Sequence, residues 1–179
     1  LAFQDLGEIP KTPQIYNQGL DISSSPLYGP NPDNRNNNLF PTDLVDENAS
    51  IREVSQITSL LNDAGFVQSV DYEKVENAKK LTSSEYSFNP QLGFISLNQS
   101  LNSDEVLGVS FQYTVNGTPY QVGELSTDVS SPGVVILKLL RSTTLDVSLP
   151  MWRLMMKNVY ALGAYQVNEE DFDLQIMYQ

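Results

Sequence analysis

The sequence predicts an α+β domain, a mainly antiparallel β-sheet with two helices packed on it, preceded by an irregular Pro/Asn-rich N-terminal segment. Three observations carry this. Apolar residues recur at three- and four-residue steps in two places, near residues 50–65 and 148–163. Between and beyond those stretches the period drops to two, the spacing of strands. And six of the ten prolines fall within the first 41 residues, where "GPNPDNRNNN" (29–38) packs five asparagines into chain without apolar periodicity. The expected organisation is therefore an extended segment over 1–47 and an α+β domain over 48–179.

Taken in order, the elements are justified as follows. Ser50-Ile51-Arg52-Glu53 reads as a capping box, with the serine oxygen accepting the Glu53 amide and the glutamate reaching back. Ile51, Val54, Ile57 and Leu61 then form one apolar stripe, and Gly65 supplies a left-handed stop. Phe66–Val70 and Tyr72–Val75 alternate as strands do, while "VENAKKL" (75–81) fits a strand or a short helical turn equally. "GFISL" (93–97) is a short strand, and "SDEVL" (103–107) turns the chain into a hairpin.

That hairpin, "FQYTVNGTPYQVGE" (111–124), can be registered pair by pair, because Asn116-Gly117 is the strongest two-residue type I′ turn signal. It sets Val115 opposite Thr118, Tyr113 opposite Tyr120, Phe111 opposite Val122 and Val109 opposite Glu124, with these residues on one face and Ser110, Gln112 and Thr114 on the other. Pro119 makes the second strand an edge or a bulge. "VVILKLL" (134–140) reads as a central strand. "SLPMWRLMMKNVYALG" (148–163) reads as a helix with Pro150 in its first turn, Trp152, Met155, Val159 and Leu162 on one stripe, and Gly163 as its stop. A closing strand alternates Phe172, Leu174, Ile176 and Tyr178 against Asp173 and Gln175.

Composition narrows the function classes. The net charge of −12 and the scatter of the ten basic residues disfavour nucleic acid, whose phosphates would be repelled. No run of about 18 apolar residues is present, so no transmembrane helix is expected. The chain opens at Leu1 without a leader, which reads as a fragment of something longer.

With no histidine and no cysteine, nucleophilic triads lose their usual base, and zinc or iron sites lose their preferred ligands. Asp33, Arg35 and Asn37 resemble the opening of a calcium loop, but Arg35 puts a cation where an oxygen ligand is required. The acid clusters Asp104-Glu105 and Glu169-Glu170-Asp171 sit in expected turns, where neighbouring side chains diverge instead of facing one another. No catalytic residue, metal or cofactor is expected. Nine tyrosines and Trp152 leave room for a glycan- or peptide-binding platform, although most fall at core-facing positions.

"YEKVENAKKLTSSEYSFNPQLGFISLNQSLNSDEVLGVSFQYTVNGTPYQVGE" (72–124), "LKLLRS" (137–142) and "WRLMMKNVYALGAYQVNEEDFDLQIMYQ" (152–179) resemble, in the same order, strings of the SprA/Sov family of Bacteroidota: "NPQLG-ISLNQ-L--DEVL", "FQYT---G--YQVGE" and "LMMKNVY-LGA". The likeness covers the last 108 residues or so, and Arg153 departs from it where an acidic residue follows the tryptophan. It implies a repeated soluble region of a very large outer-membrane protein, the translocon of the type IX secretion system, used by some relatives for gliding motility. The implied role is non-catalytic: a structural or interaction domain on the cell surface or in the periplasm. Its partners would be other segments of the translocon barrel, accessory secretion-system proteins or exported cargo. Gln112, Thr114, Pro119 and Gln121, on the polar side and edge of the hairpin, are the expected contact surface. The alternative is a cell-surface glycan- or peptide-binding module.

Overall fold

A computed structural model describes residues 1–6, 31–36, 49–129 and 133–157, together with positions 170, 173 and 175. Its centre is a four-stranded sheet of β1 (Ala2–Phe3), β2 (Tyr72–Glu73), β5 (Leu107–Val109) and β8 (Leu137–Arg141), in the order β2-β1-β8-β5. Two separate hairpins complete the strands: β3 (Tyr86–Asn89) with β4 (Phe94–Leu97), and β6 (Phe111–Val115) with β7 (Thr118–Val122).

Two residues from the Pro/Asn-rich side of the sequence, Ala2 and Phe3, form an inner strand of this sheet. β1 pairs antiparallel with β2 and parallel with β8, Ala2 opposite Leu137 and Phe3 opposite Lys138. Strand alternation then splits its side chains between two cores. Leu1 and Phe3 join Leu6, Ile51, Ile57, Leu61, Phe66, Tyr72, Val122 and Ile136 in one apolar cluster. Ala2 joins Leu139 and Met151 in the other. In the larger cluster the Phe3 ring meets Phe66 edge-on at 5.7 Å and Tyr72 at 5.9 Å.

The expectation of two helices on a single, mainly antiparallel sheet is corrected. Among the described residues there is one α-helix, α1 (Ile57–Asp63), and the strands fall into three sheets, one with a parallel pair. The helix expected over 148–163 starts as a 3-10 turn over Pro150–Leu154 and gives way at Met155 to extended backbone, φ −76° and ψ 133°. Helical periodicity is overruled by packing here: Met151, off the expected stripe, is the side chain buried against β8, while Trp152 stays half-exposed. Residues 158–163, and the closing strand apart from exposed Asp173 and Gln175, lie outside the described residues.

The first helix is shorter than its pattern suggests, for a similar reason. Ala49–Arg52 is a 3-10 turn, and α1 begins only at Ile57, with Gln56 at the N-cap and no side-chain cap. The break aims the Arg52 guanidinium at Glu124 and the Val134 carbonyl, and it turns Val54 out to solvent. The helix end follows the sequence closely. Gly65, at φ +87°, donates to the Asn62 carbonyl, and Phe66 donates to that of Leu61, the paired bonds of a Schellman cap.

Other strand expectations resolve locally. Phe66–Val70 forms a turn region bridged at Gln68, "VENAKKL" is neither helix nor strand, and "SDEVL" enters strand only at Leu107. Val109 pairs with Lys138, not with Glu124: the chain leaves strand at Ser110 between β5 and β6, and Glu124 bonds Ile136 instead.

Beneath β1 and β2 lies a buried polar seam. The Gln4 amide donates to the Asp71 carbonyl at 2.9 Å, Lys138 donates to the Gln4 carbonyl, and Ser142 donates to the Glu73 carboxylate. Asp71 Oδ2 accepts the Val67 amide at 2.7 Å, while Oδ1 is buried without a hydrogen bond. Burial pushes the Asp71 carboxyl above its ordinary 3.8, against the Val67 bond. A carboxyl raised in this way holds its proton more tightly folded than unfolded, so its contribution is complete below 3.8 and is lost as pH rises. Asp71→Asn keeps an oxygen for Val67 and removes the charge. It is expected to raise the melting temperature at pH 7 and to leave it nearly unchanged at pH 3; equal shifts at the two pH values would refute the assignment.

Candidate interaction surface

β6 and β7 pair in the register that the Asn116-Gly117 turn dictates: Phe111 with Val122, Gln112 with Gln121, Tyr113 with Tyr120, Thr114 with Pro119 and Val115 with Thr118. Asn116 at φ +50° and Gly117 at φ +82° occupy the left-handed region that a type I′ turn needs. Of the four expected surface residues, Gln112, Thr114 and Pro119 are exposed together on one face of the ribbon. Gln121 is opposite Gln112 but is turned to local work: its Nε2 donates to the Gly123 carbonyl and to Asp128 Oδ2, both at 3.0 Å.

The opposite face carries an aromatic row. Tyr113 stacks on Tyr120 at 5.4 Å and leans toward Phe111 at 6.0 Å. Sequence reasoning missed what covers this row, the strap formed by residues 31–36. Tyr113 Oη donates to the Pro32 carbonyl at 2.7 Å, and the Arg35 guanidinium lies 5.7 Å from the Tyr120 centroid. Asn34 clasps Gly123, its Nδ2 donating to the glycine carbonyl at 2.9 Å and its Oδ1 accepting the glycine amide at 2.8 Å. Gly123 sits at φ +73°, and a β-carbon there would come within 3.1 Å of the Ile136 carbonyl oxygen, so both conformation and space require glycine.

Arg35, the residue that spoils a calcium loop, binds Asp33 through Nε at 2.9 Å and NH2 at 2.8 Å. Burial pushes the Asp33 carboxyl up, but the Arg35 bonds and charge and the Gln121 amide outweigh it and hold the carboxyl below its ordinary range. At the β7 edge Pro119 has no N–H, and the Asp33 carboxylate lies near the Gln121 amide. The free part of the surface is the Gln112/Thr114/Pro119 face.

The acid clusters take up structural positions. Asp104 and Glu105 are exposed, and Glu105 Oε2 accepts the Asn102 amide at 2.7 Å to close a turn. Glu170 is exposed, and its neighbours 169 and 171 lie outside the described residues. Among the described residues no group of three acids is placed to hold a metal ion. None of their helices is long and apolar enough to cross a membrane.

No protein-family model matches this chain, and no curated protein matches it. The aromatic side chains are spread over distinct surfaces: Trp152 lies beside Arg141, Asp146 and Met155, with Lys157 Nζ 5.0 Å from its ring, apart from the Tyr113/Tyr120 row.

Proposed function

We propose that this chain is a non-catalytic interaction domain of an outer-membrane protein translocon of the SprA/Sov kind, working on the cell surface or in the periplasm. The observation that supports this best is the hairpin's two-sidedness. One face is pinned to the 31–36 strap by Tyr113, Asn34 and Arg35, and the other presents Gln112, Thr114 and Pro119 to solvent without a charge, on a chain of net −12. A rigid, uncharged polar patch suits a wet protein–protein interface, where hydrogen bonds and bridging water replace hydration at small cost. Its partners in this reading are other segments of the barrel, accessory secretion-system proteins or exported cargo. The resemblance of the strings at 72–124, 137–142 and 152–179 supports the family reading, and the hairpin's exposed face supports the surface reading.

The test is site-specific photocrosslinking from Gln112 in outer membranes of the source bacterium. Adducts with secretion-system components or exported cargo are expected, and Thr114→Glu beside the probe should reduce them about tenfold while leaving the melting temperature unchanged. Absence of such adducts, with retention of the chain on a polysaccharide column, would replace this reading with the glycan-binding one.

A further inference from the structure

The second hairpin shares with the first an uncharged sequence and an unbroken register, but differs in what covers its apolar face and guards its edges. Residues 86–97, "YSFNPQLGFISL", contain no charged side chain. β3 and β4 pair without a register break: Tyr86 with Leu97, Ser87 with Ser96, Phe88 with Ile95 and Asn89 with Phe94. The first and third pairs place Tyr86, Phe88, Ile95 and Leu97 on one face. That face belongs to neither apolar cluster. Phe88 is 60% exposed, Ile95 37% and Leu92, at the tip, 74%.

Backbone geometry at the tip and along the edges is equally specific. Asn89 satisfies the turn alone: its Oδ1 accepts the amides of Gln91 at 3.0 Å and Leu92 at 2.9 Å, its carbonyl accepts that of Gly93 at 2.8 Å, and Pro90 has none to offer. Along the strands the Asn98 amide donates to the Glu85 carbonyl, which fixes the alternation of the ladder. Ser87/Ser96 and Asn89/Phe94 are then the mutually bonded pairs, and Tyr86, Phe88, Ile95 and Leu97 point their N–H and C=O groups outward. Natural sheets protect such edges with lysine, proline or a bulge. The β7 edge has Pro119 and the Asp33 carboxylate; β3 and β4 have none of these devices.

We infer that the β3–β4 hairpin is a docking ribbon for an extended segment of a partner polypeptide, which adds as a third strand on the β4 edge and sets alternating apolar side chains beside Ile95 and Leu97. Two physical arguments select this occupant. A bilayer could take the apolar face, but it would leave the outward amides and carbonyls unpaired in hydrocarbon, each at a cost of several kcal/mol. A second copy of the chain would bring two bodies of net −12 together, whereas a neutral or basic strand meets no such repulsion. Strand addition satisfies the ladder and buries the face in one step, and it turns a marginal two-stranded ribbon into a three-stranded sheet. This inference concerns a different surface from Gln112/Thr114 and stands whether or not the translocon reading does.

The experiment uses the full chain and a fluorescent ten-residue peptide of alternating valine and threonine flanked by lysines, followed by anisotropy. A second peptide of the same sequence carries N-methyl groups on alternate residues, on the pairing side. Saturable binding of the first and at least about tenfold weaker binding of the second are expected. Ile95→Pro removes one outward N–H without touching the bonds to β3, and Leu97→Ser removes apolar surface beside the docked strand while leaving the edge hydrogen bonds in place. Each should weaken binding about tenfold in a chain whose melting temperature matches the parent's. Equal binding of both peptides, or binding indifferent to Ile95→Pro, would overturn strand addition. So would partition into zwitterionic vesicles that depends on Phe88 while neither peptide binds, and so would dimerisation abolished by Ile95→Pro without peptide binding.

Discussion

Phe3→Ala is expected to cost about 3–5 kcal/mol, the range for emptying a fully buried aromatic site. Phe3 is completely enclosed, and its ring is the contact between Phe66, which follows the α1 cap, and Tyr72 in β2. The backbone of β1 would still bridge β2 and β8, but the larger cluster would lose its central ring. Against a total stability of about 5–15 kcal/mol, that is a large share. Denaturant unfolding should show it as a fall in midpoint with little change in slope. Phe3→Leu, which keeps most of the apolar volume, should cost under about 2 kcal/mol. If Phe3→Ala and Phe3→Leu prove equally mild, β1 is not the anchor its packing indicates.

The second large effect is expected at Arg52. Its two terminal nitrogens reach Glu124 Oε1 and Oε2, each at 2.7 Å, with side-chain exposures of 26% and 10% for the two partners. NH1 also donates to the Val134 carbonyl at 2.8 Å. Glu124 in turn accepts the Ile136 amide at 2.9 Å, and its own amide donates to the Ile136 carbonyl at 2.7 Å. The pair therefore fastens the 49–52 turn to the strand end leading into β8. Arg52→Ala leaves a carboxylate nearly buried without its cation, and a loss of about 3 kcal/mol is expected, the low end for breaking such a pair because Arg52 keeps some solvent. A double-mutant cycle with Glu124→Ala should return a coupling of about 2 kcal/mol. Additive losses would mean that the two side chains act through separate contacts.

What was legible in the sequence was legible for local reasons. The β6–β7 register followed from Asn116-Gly117 alone as far as Phe111–Val122, because a two-residue turn fixes the pairs of its own hairpin, and the grouping of Gln112, Thr114 and Pro119 on one surface came with it. Gly65 ended its helix as expected because a Schellman cap involves only neighbouring residues. What was illegible depended on distance. β1 contributes two residues, too few to show a period, and its partners lie at 72–73 and 137–138. The Asn34 clasp on Gly123 joins residues 89 positions apart. The helix expected at 148–163 is replaced over Pro150–Leu154 by a 3-10 turn that buries Met151, a tertiary choice that an amphipathic pattern does not encode. The exposed face of β3–β4 was hidden for the opposite reason: Phe88 and Ile95 have the composition of a core, and only packing reveals that they are outside one.

The parallel pairing of β1 with β8 has a consequence for the order of folding. The Leu1 carbonyl receives the Leu137 amide, and the Leu1 amine donates to the Val135 carbonyl across 134 residues of chain. Until that loop closes, β2 stands alone on one side of the gap that β1 fills and the β8–β5 pair on the other, and Phe3 has no enclosed site. The two free hairpins, whose contacts are local, can form in microseconds, while the sheet waits for its longest-range contact and sets the slow step. During synthesis β1 leaves the ribosome well before β8 and is among the last elements to be seated.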